Sequence, residues 1–541
     1  MDIKLLRQQV EKLFSKRGSF INLCQQISEH FYPERAEFTI HREITDEFAG
    51  SLMSSWPVQV RRDFGDQVGS MMRPTAKEWF HMITGEPDDK IDIDAKRWLE
   101  HQTQTMRRAM YDRRAQFQRA NKEADHDYVA FGQSPASIRL NRDANGLLFR
   151  TWHIRDVAWA EDEDGEINLV ARKWKPAAHD LKRLFGDKNS KSLESKARLS
   201  PFEEIEVLHI VCRAEMYDKK TRMPWWSIYF DITHDHLIEE IGQWTREYYI
   251  PRWQMVSGSQ YALSPATITA LPDARLLQSM AYTLLEAGEK IVNPPVVGTE
   301  DAVRSDVALY AGGLTWIDRD YDERMGDALR PMTIDAKGMP LGLEMMQDTR
   351  QMLSTAFYLN KLKPFVPTTD PQMTAFQAGQ IVAQYIRDAL PLFEPMEYER
   401  NGQMCELVFE TMYRAGAFGS PFDMPKSLQG RDITFRFESP LHDAIEEQKG
   451  HKFVEAQNMI STALALDSTA TVVLDAQIAL RDALEGIQTP ATWIRSKDEA
   501  EQMIKNNQKM QGAAQTLDLM QKGADVAATT AGATPMVKAA A

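Results

Sequence analysis

Two helix-length segments enclosing a Pro/Gly-rich excursion, between Pro265 and Gly416, constrain this chain more than any other feature. The first, Pro272 to Val292 (PDARLLQSMAYTLLEAGEKIV), gives way to the excursion, Asn293 to about Gly338. The second, Met339 to Asn360, runs back. A basic loop, KLKPFVPTTDP (Lys361 to Pro371), leads into a long helical stretch expected to kink at Pro391 and Pro395. Two comparable helices around a compact insertion predict an antiparallel pair with a cap at its far end. At 1.5 Å per residue each helix is roughly 30 Å long, so the cap stands away from the body. Such a projection cannot bury both faces within one chain, and we expect it to pack against copies of itself.

A length of 541 residues allows several domains with sizeable cores. The net charge of −14 argues against a broad phosphate-neutralising surface, though not against a short basic site or a DNA passage that must avoid sticking. Cys24, Cys212 and Cys405 lie far apart with no CxxC, which points to a reducing compartment and away from disulfides or a zinc ribbon. No stretch of about 18 apolar residues occurs, and the N-terminus lacks a secretory apolar run, so a soluble protein is expected. The abundant methionines read as adaptable core and interface filler.

Along the chain, Ile3 to Phe14, Phe20 to Phe31 and Arg61 to Pro74 carry helical periodicity. Asp94 to Phe131 is highly charged without internal Gly or Pro and reads as one long helix, largely solvated or interfacial. After Gly132 the texture changes: Ala136 to Leu140, Leu147 to His153, Asn168 to Lys175, Ile205 to Arg213 and Trp225 to Ile232 are strand-like, with turns at Asp143 to Gly146 and Glu161 to Gly165. A short helix is expected over Ala178 to Phe185 and a surface loop over Lys188 to Lys196. Asp432 to Glu438 adds a strand, and Leu441 to Ala483 and Pro490 to Gln511 add helices. The Ala/Thr/Gly-rich tail from Gln515 has little to bury.

Catalytic signatures are sparse. There is no GxxxxGK[ST] and no HExxH. GQSPA (Gly132 to Ala136) approaches a nucleophile elbow at Ser134 but runs from helix to strand, the reverse of the required order, and a helix C-cap explains it better. His234 and His236 are candidate metal ligands at a strand end without a third ligand at matched spacing, and Asp125-His126-Asp127 is weaker because neighbouring helical residues do not share a face. The acidic run Asp318 to Glu323, mixed with Arg319 and Arg324, reads as a solvated or intersubunit ionic surface. Lys361 and Lys363, in a loop stiffened by Pro364, Pro367 and Pro371, read either as ordinary solvated lysines or as a light polyanion contact repeated around a ring.

Several stretches, in order, resemble the portal proteins (head-to-tail connectors) of short-tailed, podovirus-like phages: VGSMMRPTAKEWF, WHIRDVAWAEDEDGEINLVARKW with LKRLFG, YIPRWQMVSGSQYALSP, SPATITALPDARLL with EAGEKIVNPPVV, MTAFQAGQ, FRFESPLHDA and GIQTPATWIRSKDEAEQM. The likeness spans about residues 1–511; Ala262 stands where the family has Gly, and Phe376 and Gln377 depart from its pattern. The resemblance implies an α+β, mostly helical portal-type fold. Residues 1–132 would be the helical part of a wing and 133–264 its strand-rich part, with 265–292 and 339–360 as stem helices and 293–338 as the clip. Residues 361–371 would be the channel loop, 372–440 the kinked helix and a wing strand, 441–512 a helical crown and 513–541 a flexible tail. It further implies a ring of about twelve subunits at a capsid vertex of the virion, assembled in the host cytoplasm, with double-stranded DNA in transit. Partners would be a terminase packaging motor, a tail adaptor, and capsid and scaffolding proteins, with no membrane, cofactor, metal or catalytic residue. The channel loop would present Lys361, Lys363, Pro364 and Pro367. The clip would present Asn293, Pro294, Pro295, Trp316, Asp318, Arg319, Asp320 and Arg324. Two other readings remain: a metal-dependent hydrolase using His234 and His236, and a capsid-associated scaffold without a DNA channel.

Overall fold

The computed structural model describes residues 2–41, 52–75, 77–85, 92–298, 338–362, 391–420 and 423–438, with isolated positions elsewhere, among them 303, 315–318, 324, 329–332 and 456–461. The chain divides into two compact units. The first comprises Met1–Gly85, His101–Asp423 and Asp432–Leu441, the second Glu86–Glu100, Met424–Arg431 and His442–Ala541. In the second unit, residues 456–461 are helical and Leu428 is buried within the turn-rich stretch 424–431. The crown and tail readings, 441–541, fall almost wholly outside the described residues.

In the first unit, α1 (Ile3–Lys16) starts at Asp2, whose side chain accepts from the Ile3 N–H and satisfies an orphan donor. α2 (Gly18–Phe31) stops before Pro33, and α3 (Trp56–Met72) begins with Pro57 in its first turn, where a missing N–H costs nothing. β1 (Phe80–Thr84) follows, and then α4 (Ile93–Met110) and α5 (Phe117–Phe131). Here the expectation of one solvated helix over 94–131 is corrected. Asp112 accepts from the Arg114 N–H, Gln116 takes a left-handed conformation at φ 55°, and the rod breaks between Met110 and Phe117. The break lets Phe117 pack between Tyr111 and Phe149, with ring centroids 5.0 Å away in each case. α5 is also mostly buried, because its aspartates are paired internally rather than solvated.

The strand-rich part holds two sheets. One is β3-β2-β9, from β2 (Ala136–Leu140), β3 (Leu147–Thr151) and β9 (Tyr248–Tyr249). The other is a five-stranded antiparallel meander of β4 (Val157–Glu161), β5 (Ile167–Trp174), β6 (Val207–Arg213), β7 (Trp225–Asp231) and β8 (His236–Gln243). Both faces of the meander are covered. Leu6 and Val10 of α1 pack with Leu169, Ile210 and Phe230, while Trp159, Val170 and Val211 pack with Tyr248 and Ile250 on the other side. A strand buried on both faces reads as a continuous apolar run, as β6 (VLHIVCR) does. Between β5 and β6, α6 (Ala178–Phe185) and α7 (Lys191–Leu199) pair over Leu181, Leu193 and Ile205. The expected loop at Lys188 to Lys196 is therefore largely helix. Ser190 caps it by accepting from the Leu193 N–H, and Leu193 and Ala197 supply an apolar face hidden in a lysine-rich string.

α8 (Pro265–Val292), β10 (Val296–Gly298), β11 (Leu329–Pro331), α9 (Gly338–Ala356) and α10 (Leu359–Leu362) complete the central stretch. Residues 391–396 are helical and continue into a π-helical segment, Glu397–Gly402, and α11 (Gln403–Arg414). Finally, β12 (Ile433–Phe437) pairs antiparallel with β1, placing Phe80 opposite Phe437.

Candidate functional site: the helical hairpin and its mount

Pro265 sits at the first helical position of α8, with Ser264 as the cap. The Ser264 hydroxyl donates to the Val129 carbonyl at 2.6 Å, and the Thr267 hydroxyl donates to that of Ala130 at 2.8 Å. The root of α8 thereby satisfies carbonyls left open at the end of α5. Gly132, at φ 77°, terminates α5 beside this junction; a Cβ there would lie 2.2 Å from the Leu263 carbonyl carbon. The helix begins seven residues before the Pro272 start suggested by the sequence, and Pro272 lies inside it.

The hairpin divides into a buried root and a bare outer half. Ala266, Ala270, Leu271, Ala274 and Leu277 are buried, but no residue of α8 beyond Leu277 is. At 1.5 Å rise those fifteen residues span about 22 Å. α9 runs antiparallel: Gly342 lies against Leu284, and Thr349 faces Met280. Only Thr349 and Leu353 of α9 are buried, both near the root. Leu276, Tyr282, Leu285, Val292, Leu341, Leu343, Met345 and Met352 all face solvent. α9 ends earlier than the expected Asn360, because Tyr358 adopts φ 57° and separates it from α10.

The root is clamped to α2 and α3. Trp56 Nε1 donates to the Arg350 carbonyl at 3.2 Å, while the Arg350 guanidinium lies over the Trp56 ring. The Gln278 amide oxygen accepts from the N–H groups of Met53 and Ser54, both at 2.8 Å, and its nitrogen donates to the Ser54 carbonyl. Phe357 is buried between Phe31 and Phe64.

At the far end, Asn293 closes α8, and Pro294 and Pro295 turn the chain into β10. β10 pairs with β11, the Met332 N–H donates to the Pro295 carbonyl at 2.8 Å, and Val303 bridges Ile317. Trp316 is 65% exposed, Arg324 is exposed and Asp318 half-buried. Arg319 and Asp320 lie outside the described residues. Lys361 is exposed beyond the root, its ammonium 5.9 Å from the Tyr358 ring centroid; Lys363, Pro364 and Pro367 lie outside the described residues. Pro391 and Pro395 lie in the helical turns immediately before the π-helical segment.

The catalytic candidates are engaged in structural contacts. His234 Nδ1 bonds the Asp231 carboxylate at 2.6 Å, whereas His236 Nε2 bonds the Lys188 carbonyl at 3.0 Å, so the two imidazoles serve different partners. Among the described residues no group of three His, Cys, Asp or Glu is placed to hold a metal. Ser134 is buried and accepts from Arg400. Asp125, His126 and Asp127 point three ways: Asp125 to Arg73 and Arg400, His126 to Arg61 and Asp66, and Asp127 to Arg35. Burial pushes the thiols of Cys24 and Cys405 well up and that of Cys212 to about 12, which keeps all three inert.

Sequence reasoning missed the knot that fixes the π-helical segment. Arg73 and Arg400 share Asp125; Arg73 also donates to the Asn401 side chain at 2.9 Å, and Arg400 to the carbonyls of Ala124 and Asn121. The four partner groups come from α5 and the π-helical segment, which lie far apart in the sequence, so no local pattern reveals the knot.

The pattern of the bacteriophage head to tail connecting protein family matches residues 4–493. The chain belongs to that family. This connector is 25% identical over 450 residues to the probable portal protein of Bordetella phage BPP-1, covering 82% of this chain and 79% of that protein. Against the portal protein of Salmonella phage epsilon15 it is 21% identical over 538 residues, covering 97% and 94%. The connector's role is therefore structural, as the motif order suggested, and the hydrolase reading has no support. Among the described residues no helix is long and apolar enough to cross a membrane.

Proposed function

We propose that this connector forms a portal ring of about twelve copies at one capsid vertex, through which double-stranded DNA is packaged and ejected. The observation that carries this reading is the bare outer half of the α8–α9 hairpin. Its apolar side chains face solvent on both helices, and contiguous exposure of that kind marks a contact surface. Neighbouring hairpins in a closed ring would cover it, in heterologous contacts that close by rotation. The wing, stem, clip, channel loop, kinked helix, crown and tail would follow the boundaries implied by the family resemblance. The tip, with Asn293, Pro294, Pro295, Trp316, Asp318, Arg319, Asp320 and Arg324, would receive the terminase motor and later the tail adaptor, while the body meets capsid and scaffolding proteins. Lys361 and Lys363, with Pro364 and Pro367 stiffening their loop, would touch passing DNA, and Pro391 and Pro395 would bend the helix behind it. The net negative charge of the chain favours passage over retention. Mass photometry and negative-stain imaging of the purified chain test the proposal. Rings with an open axial hole are expected; only monomers and dimers at micromolar concentration would overturn it, and closed assemblies without a hole would favour a scaffold.

A further inference from the structure

The break between α4 and α5 concentrates arginine on one surface. Arg108 ends α4, Arg113 and Arg114 form the turn, and Arg119 lies in the first part of α5; all four are exposed. The turn packs on β3, Phe117 packs against Phe149, and the Thr151 hydroxyl donates to the Ala120 carbonyl at 2.6 Å, so the elbow is fixed against the β2–β3 pair. On the solvent face of that pair stand Arg139 and Arg150. Arg139 is registered opposite Leu148, which makes Arg139 and Arg150 diagonal neighbours about 7–8 Å apart.

Like charges this close repel. The Arg150 guanidinium is pulled below its ordinary value first by partial burial and then by Arg139, Arg172 and Arg119. Among the described residues, Arg108, Arg113, Arg119, Arg139 and Arg150 have no carboxylate within ion-pair distance, and Arg114 has only Asp112 at 3.9 Å. Glu123, one turn beyond Arg119, is held by Arg35 at 2.9 Å. Some arginines elsewhere are partnered, as Arg183 is with Asp180 and the half-buried Arg155 and Arg213 are with Glu37 and Glu166. Five arginines without a carboxylate partner, gathered around one elbow and the strand pair it packs on, make a surface suited to an external anion.

We propose that this arginine face binds the sugar–phosphate backbone of duplex DNA, as a contact separate from Lys361 on α10. Planar guanidiniums donate to two phosphate oxygens at once, a geometry suited to a phosphodiester backbone. Beside Arg108, a cleft of about 400 Å³, where Arg107 lies 3.9 Å from the Glu78 carboxylate, adds the Gln104 and Gln118 amides and the Thr75 hydroxyl, neutral donors of the kind that position a backbone without reading sequence. The choice of DNA as the polyanion rests on the portal reading, since duplex DNA carries one charge per about 1.7 Å of its axis.

The test uses the full chain and a short labelled duplex, with affinity followed by fluorescence anisotropy across a salt series. Arg113→Gln, Arg119→Gln and Arg150→Gln combined should weaken binding by about tenfold or more and reduce the log–log salt slope by roughly 2–3. Arg→Lys at the same three positions should keep most of the slope, which separates charge loss from misfolding. An unchanged affinity in the glutamine variant overturns the proposal, as does loss of binding through Lys361→Gln alone. A polyglutamate peptide that binds the wild type more tightly than the duplex at equal salt would also overturn it and assign the face to an acidic protein. Mass photometry of the same samples reads ring formation independently, so failure of the portal reading is seen separately.

Discussion

Asp125 carries an unusual load for one carboxylate, because two buried guanidiniums, Arg73 and Arg400, depend on it. Burial holds the Arg400 guanidinium below its ordinary value against the opposing pull of Asp125, so removing the acid leaves two cations facing each other in a dry interior. Asp125→Asn preserves shape and removes only the charge; we expect a loss of about 3–5 kcal/mol, read as a lowered urea midpoint with unchanged slope. A midpoint within error of wild type would mean that Asn401 and the main-chain carbonyls alone satisfy the pair. The same residue shows why catalytic readings at this scale were fragile. An Asp-His-Asp string or a His-Asp-His turn has the composition of a site, yet each side chain here answers to a different neighbour.

Among the elements, the hairpin is the one whose stability and function can be separated. Leu285 and Leu341 contribute little to the single chain because both are exposed. Leu285→Glu with Leu341→Glu should shift unfolding by no more than about 0.5 kcal/mol per site, yet abolish rings in mass photometry. A variant that assembles normally would move the intersubunit contact off this face. Both helices of the hairpin were legible from their long periodicity and the Pro and Gly at their ends, although the second stops at Ala356, short of the expected Asn360. The true start at Pro265 was obscured by Pro272, which reads as a first-turn residue and is in fact interior. The strands β5, β6 and β7 were legible from β-branched and aromatic runs, whereas β8 (HLIEEIGQ) was hidden by its charges, and β1 and β9 exist only through partners far along the chain. The 94–131 rod was misread because local propensity has no term for Phe117 finding Phe149, or for Asp125 finding arginines on two other elements. The clamp through Gln278 and Trp56 could not be named from sequence, since its partners lie more than two hundred residues away.

For the whole molecule, charge is unevenly distributed: a net of −14 coexists with an arginine face and with Lys361, exposed on α10. In a conduit, a few cations in a repelling wall would slow DNA without capturing it, because each phosphate contact is weak and readily exchanged with salt. Lys361→Glu with Lys363→Glu should leave rings intact and reduce filled heads on the order of tenfold, counted by sedimentation of particles from a complementation assay. Normal filling would remove the lysines from any role in DNA handling. The foot of α8 has a mechanical consequence. Its two hydroxyl groups, on Ser264 and Thr267, are hooked onto the last open carbonyls of α5, and α5 is riveted by Asp125 to the segment that carries Arg400. A lever fastened this way cannot tilt alone: torque applied at its tip is delivered through two short bonds into the same buried rivet that anchors the opposite end of the chain's central stretch.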